Sequence, residues 1–391
     1  MRIIIVGAGI AGLTLGLACQ RAGFDVKIYE KAKQLENIGG GLILWPHALR
    51  YLNDLGLLEC LQAVHQSAKH MNLVGHRGHS ILSEDYAEVN SLLNGEIFPI
   101  DRSELQQRFA VLLEGNVLQL GAACKEIINH EDYAEIHFAD GRQDRADLIV
   151  GADGIYSTVR QFVAPTRAPV YAGFCWWGGV VSRACVPDLP LDAVQFILGQ
   201  NRLCSVWPTH GEKFMWYLPV KMPLAGFDAQ GDGQSQVEAL CRDWHPDVMR
   251  LVMAPRDKQR FYLPIYELPL STQTTLGRIV LIGDAACASG PLLSQGANKA
   301  IEDAYVLVKR LLRKEKDVPA MLSHYDGLRY ARRQRFLELE HMSADALMHE
   351  SVEELMYFES QLPSINLATM YQDMIPLVNQ AAYDQFVLEV V

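Results

Sequence analysis

The sequence lacks any cysteine arrangement built for chemistry. The eight cysteines stand at positions 19, 60, 124, 175, 185, 204, 241 and 287, with no C-x-x-C pair and no histidine at metal-ligand spacing. This argues against a metal site or a disulfide framework and predicts reduced thiols in a cytoplasmic protein. Long uncharged apolar runs are missing as well, so stable membrane insertion is not expected. No basic-apolar-small leader precedes Ile3-Ile4-Ile5-Val6, which speaks against a signal peptide. Positive charge is scarce: 35 Lys and Arg face 46 Asp and Glu, a net charge of −11, which disfavours nucleic acid or an anionic membrane as partner. The densest basic stretch, Arg329 to Arg335, alternates with apolar residues and reads as a helix face. Internal repeats and low-complexity segments are also lacking.

What is present is an ordinary globular balance, 49% hydrophobic and 21% charged over 391 residues, enough for two or three domains or one large composite. The chain opens with a buried strand over Arg2–Val6 and the segment Gly7-Ala8-Gly9-Ile10-Ala11-Gly12, followed by an apolar helix to Arg21 and a second strand ending at Glu30. Gly7 allows the tight turn, Gly9 admits a pyrophosphate to the backbone, and Gly12 lets the helix pack closely on the strand. The helix N-terminus then faces the phosphates. Glu30, eighteen residues after Gly12, suits the adenosine ribose hydroxyls and would repel a 2′-phosphate. Ala11 and Lys31 complete this candidate set. The segment alone says dinucleotide and does not separate FAD from NAD.

Two further segments narrow it. One is Gly151-Ala152-Asp153-Gly154 running to Ser157-Thr158-Val159-Arg160; the other is Gly283-Asp284-Ala285-Ala286, continuing to Pro291 and Gln295-Gly296-Ala297-Asn298. Together and in this order they resemble the FAD-dependent aromatic-hydroxylase family, the class A flavoprotein monooxygenases of the p-hydroxybenzoate hydroxylase fold. The resemblance covers roughly the first 330 residues. It implies that Arg102 contacts FAD, that Asp153 and Arg160 lie near the pyrophosphate, and that Asp284 bonds the ribityl chain. It further implies that the N–H groups of Gly296, Ala297 and Asn298 face the N1/O2 edge of the flavin, with Pro291 beside flavin and substrate. Tyr325, Arg329, Arg332, Arg333 and Phe336 resemble the family's tail helix. The chain departs from the pattern at His47 (usually Asn), Cys287 (usually His), Gly290 (usually Pro) and Ser294 (usually Gly).

The fold class expected is α/β: a Rossmann-like FAD-binding domain, an inserted mainly antiparallel β-sheet substrate domain and a C-terminal helical region. The boundaries read as 1–70, 98–167 and 269–318 for the discontinuous FAD-binding domain, 71–97 and 168–268 for the sheet, and 319–391 for the helical region. Strand-like runs at Val170–Trp177, Gly178–Cys185, Val194–Leu198, Arg202–Trp207 and Lys213–Lys221 carry most of the aromatic load. Alternation puts Met215 and Tyr217 on one face and Phe214 and Trp216 on the other; the first pair is expected to face the flavin. The substrate pocket is expected among Arg202, Trp207, Met215, Tyr217 and Pro291. Tyr217 could orient or deprotonate a phenol, and Arg202 could anchor a carboxylate or enolate.

The resemblance implies the chemistry: electrons from NADH or NADPH, O2, a flavin C4a-hydroperoxide, and hydroxylation or epoxidation of a planar, electron-rich aromatic or polyketide-like molecule. The expected assembly is a monomer or homodimer. Other readings stay open. Trp216-Tyr217-Leu218-Pro219 matches half of the flavin-dependent halogenase signature, with Phe214 in place of its first Trp. Another flavin oxidoreductase on the same fold, a non-turnover flavin sensor and an NAD dehydrogenase are further readings.

Overall fold

The computed structural model describes residues 1–35, 40–64, 66–227, 231, 233–254, 261–364 and 371–379. Ile38 and Gly39, at the head of a Gly-rich stretch, and the chain end Phe386–Val391 lie outside these residues. Among the described residues, eighteen strands form four sheets. The first sheet holds β1 (Arg2–Val6), β2 (Asp25–Glu30), β7 (Leu118–Leu120), β11 (Leu148–Gly151), β17 (Thr275–Leu276) and β18 (Ile279–Leu281) in the order β17-β18-β11-β1-β2-β7. Strands β18, β11, β1, β2 and β7 run parallel, and β17 pairs antiparallel with β18. Ile3, Ile4 and Ile5 are wholly buried, each stabilising the fold by about 1.5–3 kcal/mol.

The seven-stranded sheet, in the order β16-β12-β15-β14-β13-β4-β5, collects β4 (His70–Gly75), β5 (Ser80–Asp85), β12 (Val170–Ser182), β13 (Ala193–Gly199), β14 (Arg202–Thr209), β15 (Lys213–Lys221) and β16 (Phe261–Glu267). Its pairs are antiparallel except β13 with β4. The two runs expected at Val170–Trp177 and Gly178–Cys185 are one strand, β12, because Gly178 and Gly179 stay in register with Tyr217 and Trp216 instead of turning. Arg183–Cys185 is a 3-10 turn. The small sheets are β3 (Gly41–Leu44) with β6 (Phe98–Asp101), and β8 (Cys124–Asn129), β9 (Ala134–Phe138) and β10 (Gln143–Ala146).

Helices α1 (Ile10–Arg21), α2 (Pro46–Asp54), α3 (Ala87–Leu93), α4 (Arg102–Val111) and α5 (Thr158–Val163) precede the insertion, with α6 (Gln234–Cys241) and α7 (Pro246–Met253) within it. After it come α8 (Gly296–Leu312), α9 (Val318–Leu347), α10 (Val352–Gln361) and α11 (Ile375–Val378). Alternation along β15 sorts two cores. Phe214, Trp216 and Leu218 pack with Val237, Cys241, Val248 and Leu251 of α6 and α7. Met215 and Tyr217 face the other way, into a core shared with Trp207, Leu203 and residues of α9 and α10.

Helix α9 is tied to α8 by buried ions. Arg329 donates to Asp303 at 2.6 Å and to Glu302; Arg332 donates to Glu302; Arg333 reaches Asp303 at 3.2 Å and Asp326 at 3.3 Å. Burial opposes ionisation of Glu302 and Asp303, but the surrounding guanidiniums outweigh it and hold both carboxyls below their ordinary range. Asp303 also accepts the Gly283 N–H at 2.8 Å, so the ion cluster fixes the turn that carries Asp284. Among the described residues, no helix is long and apolar enough to cross a membrane.

Candidate active site

One continuous cavity of about 970 Å³ runs from Glu30 to the inner face of the seven-stranded sheet. At its first end the turn after β1 forces glycine. Gly7 has φ +106°, and a Cβ there would lie 2.4 Å from the Ala152 carbonyl oxygen; one on Gly12 would lie 2.0 Å from the Gly7 carbonyl oxygen. A Cβ on Gly9 would meet nothing within 4 Å, so the backbone is open where α1 begins, and no side chain caps that helix. Gly7, Gly9, Ala11, Glu30 and Lys31 all line the cavity. The Glu30 carboxylate accepts the Ala8 N–H at 2.8 Å and the Ala32 N–H at 2.9 Å, which orients it while lone pairs remain on both oxygens. Gly12 lies behind the turn as a packing residue.

Arg102 lines the cavity at the start of α4, where Asp101 caps the helix by accepting the Ser103 N–H at 2.8 Å. Gln106, one turn on, was not anticipated. It lines the cavity and donates to the Ala8 carbonyl at 2.7 Å. Its spacing of four from Arg102 was the available signal. Asp153 lines the cavity but also starts α5, accepting from the Ser157 hydroxyl and from the Thr158 N–H at 2.7 Å. Arg160 does not reach the cavity. Its guanidinium is used by the carbonyls of Ile155, Arg167 and Ala285, and this corrects its expected place near the pyrophosphate. Asp284 is exposed to the cavity, which it lines at a point crowded by neighbouring protein. Desolvation there raises its pKa above 3.8, with Lys299 and Arg102 pulling the other way.

Gly296 and Ala297 line the cavity at the start of α8, whose N-cap Gln295 supplies no side-chain bond. Asn298 is wholly buried and lies off the cavity. Its amide accepts the Trp45 N–H at 2.8 Å and donates to the Ile43 carbonyl at 2.9 Å, clamping α8 to the β3–α2 turn. Pro291 lines the cavity in a loop held from α9 by Glu340, which accepts the N–H groups of Leu292 at 2.7 Å and Leu293 at 3.0 Å. Two departures from the family pattern belong to this loop. A Cβ on Gly290 would sit 2.5 Å from Glu340 Oε1, and Ser294 takes the left-handed φ of 55° that glycine would favour.

Trp207 and Tyr217 line the far half of the cavity. Met215 shares their face but lies behind it, its sulfur filling the space beside Gly41. Arg202 is a correction. Leu203, Ser205 and Trp207 point into the cavity, so Arg202 points to the opposite face, 5.5 Å from the Trp244 ring centroid. Tyr217 is a correction as a base: burial pushes its hydroxyl pKa up, so it keeps its proton. Residues missed in the sequence include Leu203, Ser205, Tyr371 and Met374, all of which line the far half. Tyr371 reaches it from the chain's end, packing edge-on to Trp45 at 5.6 Å.

A dinucleotide cradle that opens into an apolar chamber defines an oxidoreductase of the flavin-binding kind. The open backbone at Gly9 and Gly296, the acid at Glu30 and a shared cavity fit FAD, which Gly7, Gly9, Glu30, Arg102, Asp284 and Gly296 would hold. The model of the FAD binding domain family matches residues 1–339. The 3-amino-4-hydroxybenzoate 2-monooxygenase of Streptomyces cremeus is 32% identical over 345 residues, covering 85% of this chain and 84% of its own. The aurachin C monooxygenase/isomerase of Stigmatella aurantiaca is 30% identical over 339 residues, with 86% and 87% covered. HpxO of Klebsiella pneumoniae, solved with FAD and uric acid, shares the fold at TM-score 0.87 and 23% identity, over 99% of this chain and 97% of that one. The chain belongs to the class A FAD-dependent aromatic-hydroxylase family, and it is an oxidoreductase.

Proposed function

We propose that this protein is an NAD(P)H-dependent FAD monooxygenase that hydroxylates or epoxidises a planar, electron-rich small molecule. The supporting observation is the single cavity joining the Gly9–Glu30 cradle to the Trp207–Tyr217 chamber through the Pro291 loop. Bound FAD supplies the redox chemistry and the activation of O2. The chain supplies the rest. The N-terminus of α1 would bind the pyrophosphate, and Glu30 would accept from the ribose hydroxyls. The start of α8 would offer backbone N–H groups and a positive dipole end to the negative charge of a reduced flavin. Apolar walls exclude water, and the protonated Tyr217 orients substrate rather than removing its proton.

The test is oxidation of NADH or NADPH by the FAD-loaded protein with and without candidate aromatic ligands, with O2 uptake followed in parallel. Ligand-stimulated oxidation with oxygenated product is expected. Turnover that needs halide and an external flavin reductase would favour a halogenase, although Trp216 faces α6 and α7 rather than the cavity. Flavin binding with no turnover on any ligand would favour a sensor.

A further inference from the structure

The far half of the cavity is broad. Tyr217 on β15, Leu203 and Trp207 on β14, Leu198 on β13 and Leu73 on β4 all line it. These are four neighbouring strands, and three strand spacings make this wall about 14 Å wide. Leu347, Phe358, Leu362 and Met374 line it from the helical side. A single aromatic ring covers only part of such a wall.

The charges are distributed unevenly. Among the described residues, the charged side chains on the cavity are Glu30, Lys31, Arg102, Asp153 and Asp284, all belonging to the nucleotide half, and Asp373. Arg102 opens α4, whose Gln106 one turn on donates to the Ala8 carbonyl of the cradle at 2.7 Å, which places it at the cofactor end. Asp373 is an exposed carboxyl and lies 3.9 Å from Arg335. The polar lining elsewhere includes the neutral hydroxyls of Ser205 and Ser343. A ligand carboxylate in this half would lose hydration with no described cation to receive it, whereas each buried methylene would be favoured.

We infer that the substrate is an uncharged, electron-rich ring carrying an apolar substituent of several carbons, held along Leu73, Leu198 and Leu203. The inference rests on the monooxygenase reading above. Its test is binding to the FAD-loaded protein of 4-methylphenol, 4-propylphenol, 4-heptylphenol and 4-hydroxybenzoate, read by calorimetry and by perturbation of the flavin spectrum. Affinity should rise along the alkyl series by up to about fourfold per methylene, with 4-hydroxybenzoate about tenfold or more weaker than 4-propylphenol. Leu198→Phe, or Leu73→Phe should that chain fail to fold, narrows the chamber. It should weaken 4-heptylphenol by about tenfold or more and spare 4-methylphenol. An affinity flat across the alkyl series, or 4-hydroxybenzoate binding as tightly as the alkylphenols, overturns the inference and leaves the monooxygenase reading standing. A purified protein that takes up no flavin overturns that reading, and the inference with it.

Discussion

At the scale of single residues, His47 ties stability to pH, because its ring is buried without a hydrogen-bond partner. It is 1% accessible, neither ring nitrogen has a hydrogen-bond partner, and burial lowers its pKa from 6.5 to about 3. Folded, it is neutral; unfolded, it takes up a proton below pH 6.5. Its contribution to stability is therefore full above 6.5 and is lost progressively as pH falls toward 3, by roughly 1 kcal/mol per pH unit. His47→Asn, the residue usual in the family, should flatten denaturant-measured stability between about pH 6 and pH 5 by up to one proton's worth of slope. An unchanged slope would mean the ring is hydrated in the folded protein. Gly290 offers a second test. Gly290→Ala drives a methyl into Glu340 and frees the N–H groups of Leu292 and Leu293, at about 1–3 kcal/mol. In a Glu340→Ala background the same change should cost almost nothing, and thermal melts of the four proteins would show that non-additivity.

At the scale of elements, the α8–α9 ion cluster carries both stability and the placement of Asp284. Arg329→Met leaves Glu302 and Asp303 buried with one guanidinium fewer, a loss of about 3–5 kcal/mol. Asp303 holds the Gly283 N–H, so the surviving folded protein should also bind FAD more weakly in a fluorescence titration. Unchanged FAD affinity would uncouple the cluster from the turn. Elements were well marked in the sequence where the signal is local. The βαβ pattern around Gly7–Glu30 and the sharing of one face by Met215 and Tyr217 follow from periodicity alone. Arg202 was also legible, since five positions separate it from Trp207 and an odd separation in one strand means opposite faces. Glu340, Asn298 and Tyr371 were not. Each acts on a partner tens to hundreds of residues away, at Leu292, Trp45 or the cavity. Nothing in a polar residue on a helix says which distant backbone it will meet.

At the scale of the whole molecule, the cavity ties distant segments together, and ligand binding should report on all of them at once. Saturating FAD at 100 times its Kd should stabilise the fold by about 2.7 kcal/mol, seen as a raised Tm. Gly9→Trp, which fills the open backbone, and Asp284→Ala should each diminish that gain without large loss in the unliganded protein. A gain undiminished in both variants would place FAD elsewhere. The order of the parallel sheet has a further consequence, for synthesis. β1 pairs with β11 at residues 148–151, and β11 in turn with β18 at 279–281. A nascent chain therefore makes β1, α1 and β2 first but must wait for residues 148–151 before β1 is flanked on its other side, and for residues 279–281 before β11 is flanked in turn. During that interval Ile3-Ile4-Ile5-Val6 is an open apolar edge, the kind of segment that recruits chaperones or aggregates. The sheet that carries the cradle thus starts to form well before the strands that complete it exist.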